Sequence, residues 1–213
     1  MPRPAASFIC QHRWKMVSQI TEIPCESTTW EKGHYPYPAA RTAPWETDRR
    51  GVTVAGVGAA ELLQGPLAAF FASRQCPGTA IRAATDWALQ QARGRCTVIG
   101  GFHSPLEQSV LRLLVEAGGT AVVVLARPVA DASLRSEWRD ALAAGRMAVI
   151  SRSTSTQRLT EQAADDRNEL AARLADWIAI AQASPGGQLS QQCARWQADR
   201  LDIRRIGDTN APH

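Results

Sequence analysis

Ile99-Gly100-Gly101-Phe102-His103-Ser104-Pro105-Leu106-Glu107 is the stretch that tells most about the architecture of this chain. An apolar run ends in a glycine pair, and a helix signal follows at once. Ser104, Pro105 and Glu107 stand at N-cap, N1 and N3, which makes a capping box with proline at its favoured position. A turn of this kind presents backbone N–H groups and the positive end of a helix dipole, which suit an anionic group and phosphate above all.

Short apolar runs alternate with helical periods from residue 51 onward. Most of the runs are continuous, which is typical of strands buried on both faces of a parallel sheet. The predicted strands cover residues 52–57, 67–72, 96–100, 120–126, 147–151, 177–181 and 201–206. The predicted helices lie near residues 79–92, 104–117, 133–144, 160–175 and 188–199. This alternation predicts an α/β fold with a doubly wound, mostly parallel, Rossmann-like sheet.

Residues 1–50 differ from the rest, because six prolines interrupt them and no helical or alternating period persists. We therefore predict an irregular N-terminal arm over residues 1–50, with a short strand near residues 6–10, and a Rossmann-like domain over residues 51–213. The aromatic side chains of the arm either stack on nucleobases or anchor it by packing. They are Trp14, Trp30, Tyr35, Tyr37 and Trp45.

Composition narrows the classes of function. The chain of 213 residues has a formal net charge of +4 and a pI near 9.0, which mildly favours anionic partners. Its five cysteines form no Cys-x-x-Cys pair, and Cys10, His12, Cys25 and His34 have a spacing that fits no zinc module. We expect no disulfide framework and no metal. No apolar run reaches the roughly 20 residues of a membrane span, and no signal peptide is predicted, so we expect a cytoplasmic protein without a membrane partner.

The candidate site lies after the predicted strands, because ligands of an open α/β sheet bind beyond the carboxyl ends of its strands. Hydroxyl groups, glycine pairs and arginines are frequent at these positions, although such residues are also common in loops. Arginine matches phosphate oxygens with two parallel hydrogen bonds, and small residues let a ligand approach the backbone. The candidate phosphate or nucleic-acid contacts are Ser73, Arg74, Gly100, Gly101, His103, Ser104, Arg127, Arg167, Asn168, Ser184, Gly186 and Gly187.

Arg167 is unusual within this set. On the predicted helix 160–175 it shares a face with Ala163, Leu170 and Leu174, and a charge on an inward face is uncommon. Two interpretations stay open: a salt bridge within the protein, or a contact with a ligand phosphate. The neighbouring Asn168 suits a hydrogen bond to a base, a ribose or a loop carbonyl.

Four stretches together resemble the DprA/Smf DNA-processing proteins and, more broadly, the SLOG superfamily of Rossmann-like nucleotide-binding domains. They are residues 71–77, at the family's Gly-Ser-Arg turn, residues 99–107, at its Gly-rich loop, residues 166–168, at its Arg-Asn pair, and residues 181–187, at a late strand and glycine turn. The resemblance covers about residues 60–206 and departs from the family at Ala72, which replaces a glycine. Carried over by position, it implies ligand contacts at Ser73, Arg74, Gly100, Gly101, Arg167, Asn168, Gly186 and Gly187.

This resemblance implies an extended Rossmann-like fold that forms a homodimer. It also implies single-stranded DNA bound in a basic crevice and a RecA-type recombinase as partner. The chain ends without the winged-helix domain found in many DprA proteins, so the resemblance is to a minimal or divergent member.

Catalysis is the remaining question, because some SLOG proteins of the LOG type hydrolyse nucleotides with a Pro-Gly-Gly-x-Gly-Thr-x-x-Glu loop. Here Pro185-Gly186-Gly187 is retained, but the Gly-Thr that follows is missing, and the stretch in which the motif has its glutamate holds Gln191 and Gln192 and no carboxylate. An amide cannot serve as a general acid or base, and the capping box already explains Glu107. We therefore expect no catalytic residue and no cofactor.

The predicted function is DprA-like binding of single-stranded DNA or a nucleotide in DNA processing or recombination. The alternatives are a SLOG-type sensor or hydrolase of a small nucleotide, and a scaffold whose crevice has decayed.

Overall fold

A computed structural model describes residues 44–129, 134–152 and 160–207. All of them fall within one of the two compact units of the chain, residues 35–213, and the other unit, residues 1–34, lies outside the described residues. Eight strands form one sheet in the order β1-β2-β6-β5-β4-β3-β7-β8. They are β1 (Trp45–Arg49), β2 (Val52–Gly58), β3 (Leu67–Ala72), β4 (Thr97–Gly100), β5 (Ala121–Val124), β6 (Met147–Ser151), β7 (Trp177–Gln182) and β8 (Ile203–Arg205).

The sheet is mostly parallel. The neighbouring pairs from β6 through β5, β4, β3 and β7 to β8 are all parallel. Only β1 with β2 and β2 with β6 pair antiparallel. The predicted α/β class and the mostly parallel Rossmann-like sheet are confirmed.

Helices cover both faces of the sheet. The helices are α1 (Gly78–Gly94), α2 (Pro105–Glu116), α3 (Arg139–Ala143), α4 (Glu161–Leu174) and α5 (Gln188–Ala198), with 3-10 turns at Ala60–Leu63 and Ser136–Trp138. Side chains of α1, α2 and α3 belong to one buried cluster, and those of α4 and α5 belong to the other. The sheet is therefore doubly wound.

Strand β3 lies between β4 and β7, and all six of its residues are buried. Phe70 stacks on Trp87 of α1 with ring centroids 5.1 Å apart, and Phe71 packs on Trp196 of α5 at 4.9 Å. Burial of each phenylalanine contributes about 2 kcal/mol. A strand covered by helices on both faces needs apolar residues at every position, which explains its continuous apolar sequence.

The chain changes direction across the sheet beside β3. Strand β4 lies on one side of β3 and β7 on the other, and the helices that follow β3 and β7 pack on opposite faces. The loops after these strands meet at this switch point, which is the usual ligand position in such sheets and is named the crevice. At the crevice, Ser73 N–H donates to the Gln182 carbonyl at 2.8 Å, and Ser184 N–H donates to Ser73 Oγ at 2.9 Å.

Two segments differ from the prediction. Trp45–Arg49 forms β1 inside the range predicted as irregular, because Trp45 packs against Gly56 and donates its Nε1–H to the Gly58 carbonyl at 3.0 Å. The predicted helix 133–144 is a 3-10 turn followed by the short α3. The predicted strand near residues 6–10 lies outside the described residues, and the boundary between residues 50 and 51 stays a prediction. In the described part of the chain, no helix has the length and apolar character to cross a membrane.

Candidate functional site

The carboxyl edge of the parallel strands brings four segments together. The loop after β3 supplies Ser73 and Arg74, and the loop after β4 supplies the turn from Gly100 to Ser104. The second turn of α4 supplies Arg167 and Asn168. The loop after β7 supplies Ser184, Gly186 and Gly187. Hydrogen bonds and side-chain packing link these segments.

Glu107 holds the ends of β3 and β4 together. Its carboxylate accepts hydrogen bonds from Ala72 N–H at 3.0 Å, His103 N–H at 2.8 Å and Ser104 N–H at 3.1 Å. Burial raises the pKa of this carboxyl, while the three N–H donors and the Arg167 guanidinium oppose the rise. One internal carboxylate thus positions two turns of the site.

This arrangement corrects one expectation. The sequence predicts unoccupied N–H groups at the start of α2, but those of His103 and Ser104 already donate to Glu107. Ser104 is buried, and its Oγ accepts from Glu107 N–H in the predicted capping box. The Glu107 carboxylate is therefore the anion bound at this helix N-terminus, and a ligand phosphate would have to bind other groups of the turn.

The glycine pair after β4 is required for close approach. A Cβ on Gly100 would lie 3.1 Å from the Phe70 carbonyl oxygen of β3, and a Cβ on Gly101 would lie 2.7 Å from Cζ of Arg167. The left-handed conformation of the turn falls on the next residue, Phe102, with φ of 50°. The Arg167 guanidinium therefore packs directly on the backbone of Gly101.

Arg167 is 8% exposed, and its guanidinium lies against Gly101. Its Nε and Nη2 donate to Oδ1 of Asn168 at 3.3 and 2.9 Å. Among the described residues no carboxylate forms an ion pair with it. Burial lowers the pKa of the guanidinium, and Glu107 and Asp165 oppose this. Of the two interpretations left open by the sequence, the internal salt bridge is absent from the described part of the chain.

A polar chain runs from Arg167 to the helix after β7. Asn168 Nδ2 donates to Gln192 Oε1 at 3.1 Å, and Gln192 Nε2 donates to Asp165 at 3.0 Å. Gln192 is 1% exposed, and it lies in α5, whose N-cap is Gly187. Gln192 therefore joins α5 to α4. Hydrogen bonds between polar side chains thus connect Arg167, which packs on Gly101, with α5, whose N-cap is Gly187.

The Ser184–Gly187 turn has a different construction. Gly187 N–H donates to the Ser184 carbonyl at 3.0 Å, and Gly186 has φ of +70°, a conformation that favours glycine. Gly187 caps α5 without a side-chain hydrogen bond, whereas Ser104 and Thr160 cap α2 and α4 with theirs. The N-terminus of α5 keeps its partial positive charge uncompensated by a capping side chain.

His103 lies on the exposed side of the β4 turn, among arginines. Partial burial of the imidazole and then the guanidinium groups of Arg167, Arg135 and Arg74 lower its pKa from 6.5 to about 4. The ring is neutral at physiological pH, so it offers one N–H donor and one acceptor rather than a positive charge.

Two cavities flank the end of β5. The first, of about 360 Å³, has Arg152, Arg167 and Arg173 in its wall and is named the α4 cavity. The second, of about 550 Å³, extends from Gly101 and His103 to Trp138 and is named the Trp138 cavity. Arg127, another of the predicted contacts, lines the Trp138 cavity together with His103.

The structure brings most of the predicted site residues to one edge of the sheet, and sequence reasoning missed several of their neighbours. Asp165 gave no signal beyond its place on a helical face, and Gln192 drew attention only because the chain lacks the LOG glutamate. The two cavities arise from loops and helices far apart in sequence. The capping pattern identified Glu107, but its contact with Ala72 depends on the pairing of β3 with β4. In the described residues no cluster of histidine, cysteine or carboxylate side chains has the arrangement of a metal site.

Comparison with known proteins adds to this geometry. The structure is similar to that of DNA processing protein A from Helicobacter pylori, with a TM-score of 0.65, 13% identity, and coverage of 82% of each chain. It is also similar to DNA processing protein A (DprA) from Streptococcus pneumoniae, with a TM-score of 0.60, 17% identity, and coverage of 72% of this chain and 54% of that one.

A search of curated proteins gives no match. The family model described as DNA recombination-mediator protein A matches residues 28–198, which is most of the chain. The predicted resemblance to DprA is confirmed, and the chain belongs to the DNA recombination-mediator protein A family.

Proposed function

We propose that this protein binds single-stranded DNA at the carboxyl edge of its sheet and acts in DNA processing or recombination. Its membership of the recombination-mediator family supports this function, and the similar Helicobacter pylori protein is described as binding single-stranded DNA. The backbone phosphates would lie along the β3, β4 and β7 turns, near Arg74, Arg167 and Gly187.

The observation that carries this proposal is the buried guanidinium of Arg167. A buried charge is costly unless an opposite charge compensates it, and no described carboxylate pairs with this one. Two further features favour the same ligand. Arg74 is exposed at the neighbouring turn, and α5 begins without a capping side chain. Guanidinium groups and a helix N-terminus at one edge of a sheet fit the phosphates of a nucleic-acid backbone.

Single strands are favoured over duplexes because the residues proposed to contact the phosphates adjoin the two cavities. A duplex hides its bases, whereas an extended single strand offers phosphates and unstacked bases side by side. The residues after β3, β4 and β5 provide both kinds of surface within one edge of the sheet.

Fluorescence anisotropy with labelled dT oligonucleotides over a salt series tests the proposal. We expect binding whose affinity falls steeply with added salt, because phosphate contacts release condensed counterions. Arg74→Ala should weaken the binding and reduce the slope, whereas Arg93→Ala serves as a matched control, because Arg93 is an exposed arginine in the last turn of α1. Absence of dT binding, together with a thermal shift induced by a mononucleotide, would favour a small-nucleotide sensor instead.

The partners proposed on this basis are a RecA-type recombinase and a second copy of the chain. Both come from the family resemblance. Analytical ultracentrifugation tests the homodimer, and strand-exchange assays with a RecA-type recombinase test the mediator role. Monomeric behaviour at micromolar concentration, or no acceleration of recombinase loading on coated DNA, would contradict the respective proposal.

A further inference from the structure

We infer that the Trp138 cavity receives a nucleobase of the bound strand. This inference rests on the proposed function, since the base would belong to the same single strand whose phosphates lie at the β4 turn. It adds a recognition site outside the crevice, formed by α2, the end of β5 and the 3-10 turn Ser136–Trp138.

The position of the cavity is the first argument. Gly101, Phe102 and His103 form part of its wall, and Arg167 packs on the same Gly101. A phosphate near Arg167 therefore lies close to the Gly101 wall of the cavity. The volume of about 550 Å³ is within the range of roughly 300–1,000 Å³ that holds small organic ligands, so a base with its sugar fits.

The lining of the cavity is the second argument. Part of its lining is apolar, with the buried Leu111 of α2 and Val123 of β5 and with Leu125, which follows β5. Trp138 is half-buried, and its side chain packs on the core while lining the cavity. An aromatic ring supported by a packed core is a rigid surface for stacking, which is how proteins hold unstacked bases without reading sequence.

Charge at the rim is the third argument. Arg112, Arg127 and Arg135 line the cavity together with two acids, Glu116 and Glu137. The Arg135 guanidinium lies over the Trp138 ring, 5.7 Å from its centroid, and forms an ion pair with Glu137 at 3.3 Å. Arg127, which follows β5, and the neutral His103 of the β4 turn line the same cavity, so both groups can face the phosphates that flank the base. A neutral aromatic ring linked to a phosphate matches this combination of apolar and basic lining residues.

The test compares two ligands of equal length, a short dT oligonucleotide and its abasic counterpart, by fluorescence anisotropy. Trp138→Ala should weaken dT binding about tenfold and leave abasic binding within about twofold. Trp138→Phe, which keeps a ring, should restore most of the dT affinity. The matched control is Trp177→Ala. Trp177 is also half-buried with an arginine over its ring, Arg204 at 4.6 Å, but it begins β7 and lies at the amino edge of that strand.

The outcomes separate the two proposals. Equal losses on dT and abasic ligands, or no loss on dT, would overturn the base site and leave single-stranded DNA binding standing. If the unmodified protein binds neither ligand, both proposals fail. A second measurement avoids folding effects: photocrosslinking of the unmodified chain to an oligonucleotide with 5-iodouracil, followed by mass spectrometry. Adducts at Trp138 or residues 101–103 support the base site, and adducts confined to other segments overturn it.

Discussion

The guanidinium of Arg167 lies directly on the backbone of Gly101, in space that a Cβ at Gly101 would occupy. The two residues come from α4 and from the turn after β4, 66 positions apart in the sequence. The contact places a buried cation at the centre of the carboxyl edge. It also makes the absence of a side chain at position 101 a requirement of the site.

Gly101→Ala should therefore weaken single-stranded DNA binding without unfolding the protein. The new Cβ would lie 2.7 Å from Cζ of Arg167, so the guanidinium has to move, and we expect a loss of at least about tenfold, or roughly 1.4 kcal/mol. Gly65→Ala is the matched control, because a Cβ there meets nothing within 4 Å. Affinities measured by anisotropy that are equal in the two variants would contradict the role of Gly101.

Arg167→Met should separate binding from stability. The variant removes a buried charge that has no carboxylate partner among the described residues, so we expect the free energy of unfolding to stay constant or rise by about 1 kcal/mol. DNA affinity should fall at least about tenfold. Urea unfolding and anisotropy measure the two effects. A variant that is strongly destabilised yet binds DNA normally would indicate a purely structural arginine.

Arg167→Lys provides a finer comparison. It retains a positive charge but loses the planar group that lies on Gly101 and donates twice to Asn168. We expect an affinity between those of the unmodified protein and Arg167→Met, with a salt dependence close to the original. An affinity equal to that of the unmodified protein would show that charge alone is sufficient.

Glu107→Gln should be among the most destabilising conservative substitutions of the site. The carboxylate accepts three backbone hydrogen bonds, whereas an amide places an NH₂ group against at least one of those donors. We expect a loss of about 3 kcal/mol in the free energy of unfolding, measured by urea denaturation. Ser104→Ala, which removes only the N-cap hydroxyl, should cost about 1 kcal/mol. The opposite order would contradict the bridging role of Glu107.

His103 should make stability depend on pH in the acidic range. Its pKa is about 4 in the folded protein against an ordinary value of 6.5, so between these values the unfolded chain binds the proton more tightly. Stability contributed by the neutral ring is complete above about pH 7 and declines as the pH falls. Urea unfolding of the unmodified protein and of His103→Asn from pH 7.5 to 4.5 checks this. The advantage of the unmodified protein should shrink toward low pH, and parallel curves would refute it.

Much of the fold could be predicted from the sequence, because apolar runs and capping residues act over a few neighbouring positions. Phe70 and Phe71 sit in a run without polar residues, and such a run has few alternatives to a strand covered on both faces. The capping box at Ser104 and Glu107 marked the start of α2 and appears with both of its hydrogen bonds. Strand β1 was not predicted, because it depends on distant contacts. Trp45 pairs with Gly56 and donates a hydrogen bond to the Gly58 carbonyl, and both contacts form only when β1 pairs with β2.

By itself the sequence determined the order of strands and helices, the glycine turns and the family, because backbone preferences and side-chain polarity act over a few residues at a time. Only the tertiary structure decided that Arg167 lies on Gly101, that Gln192 joins two helices and that Trp138 lines one cavity with the β4 turn. These relations depend on the order in which strands pair and on the faces that the helices cover. Contacts between distant residues are the outcome of packing the whole sheet, so no short stretch of sequence contains them.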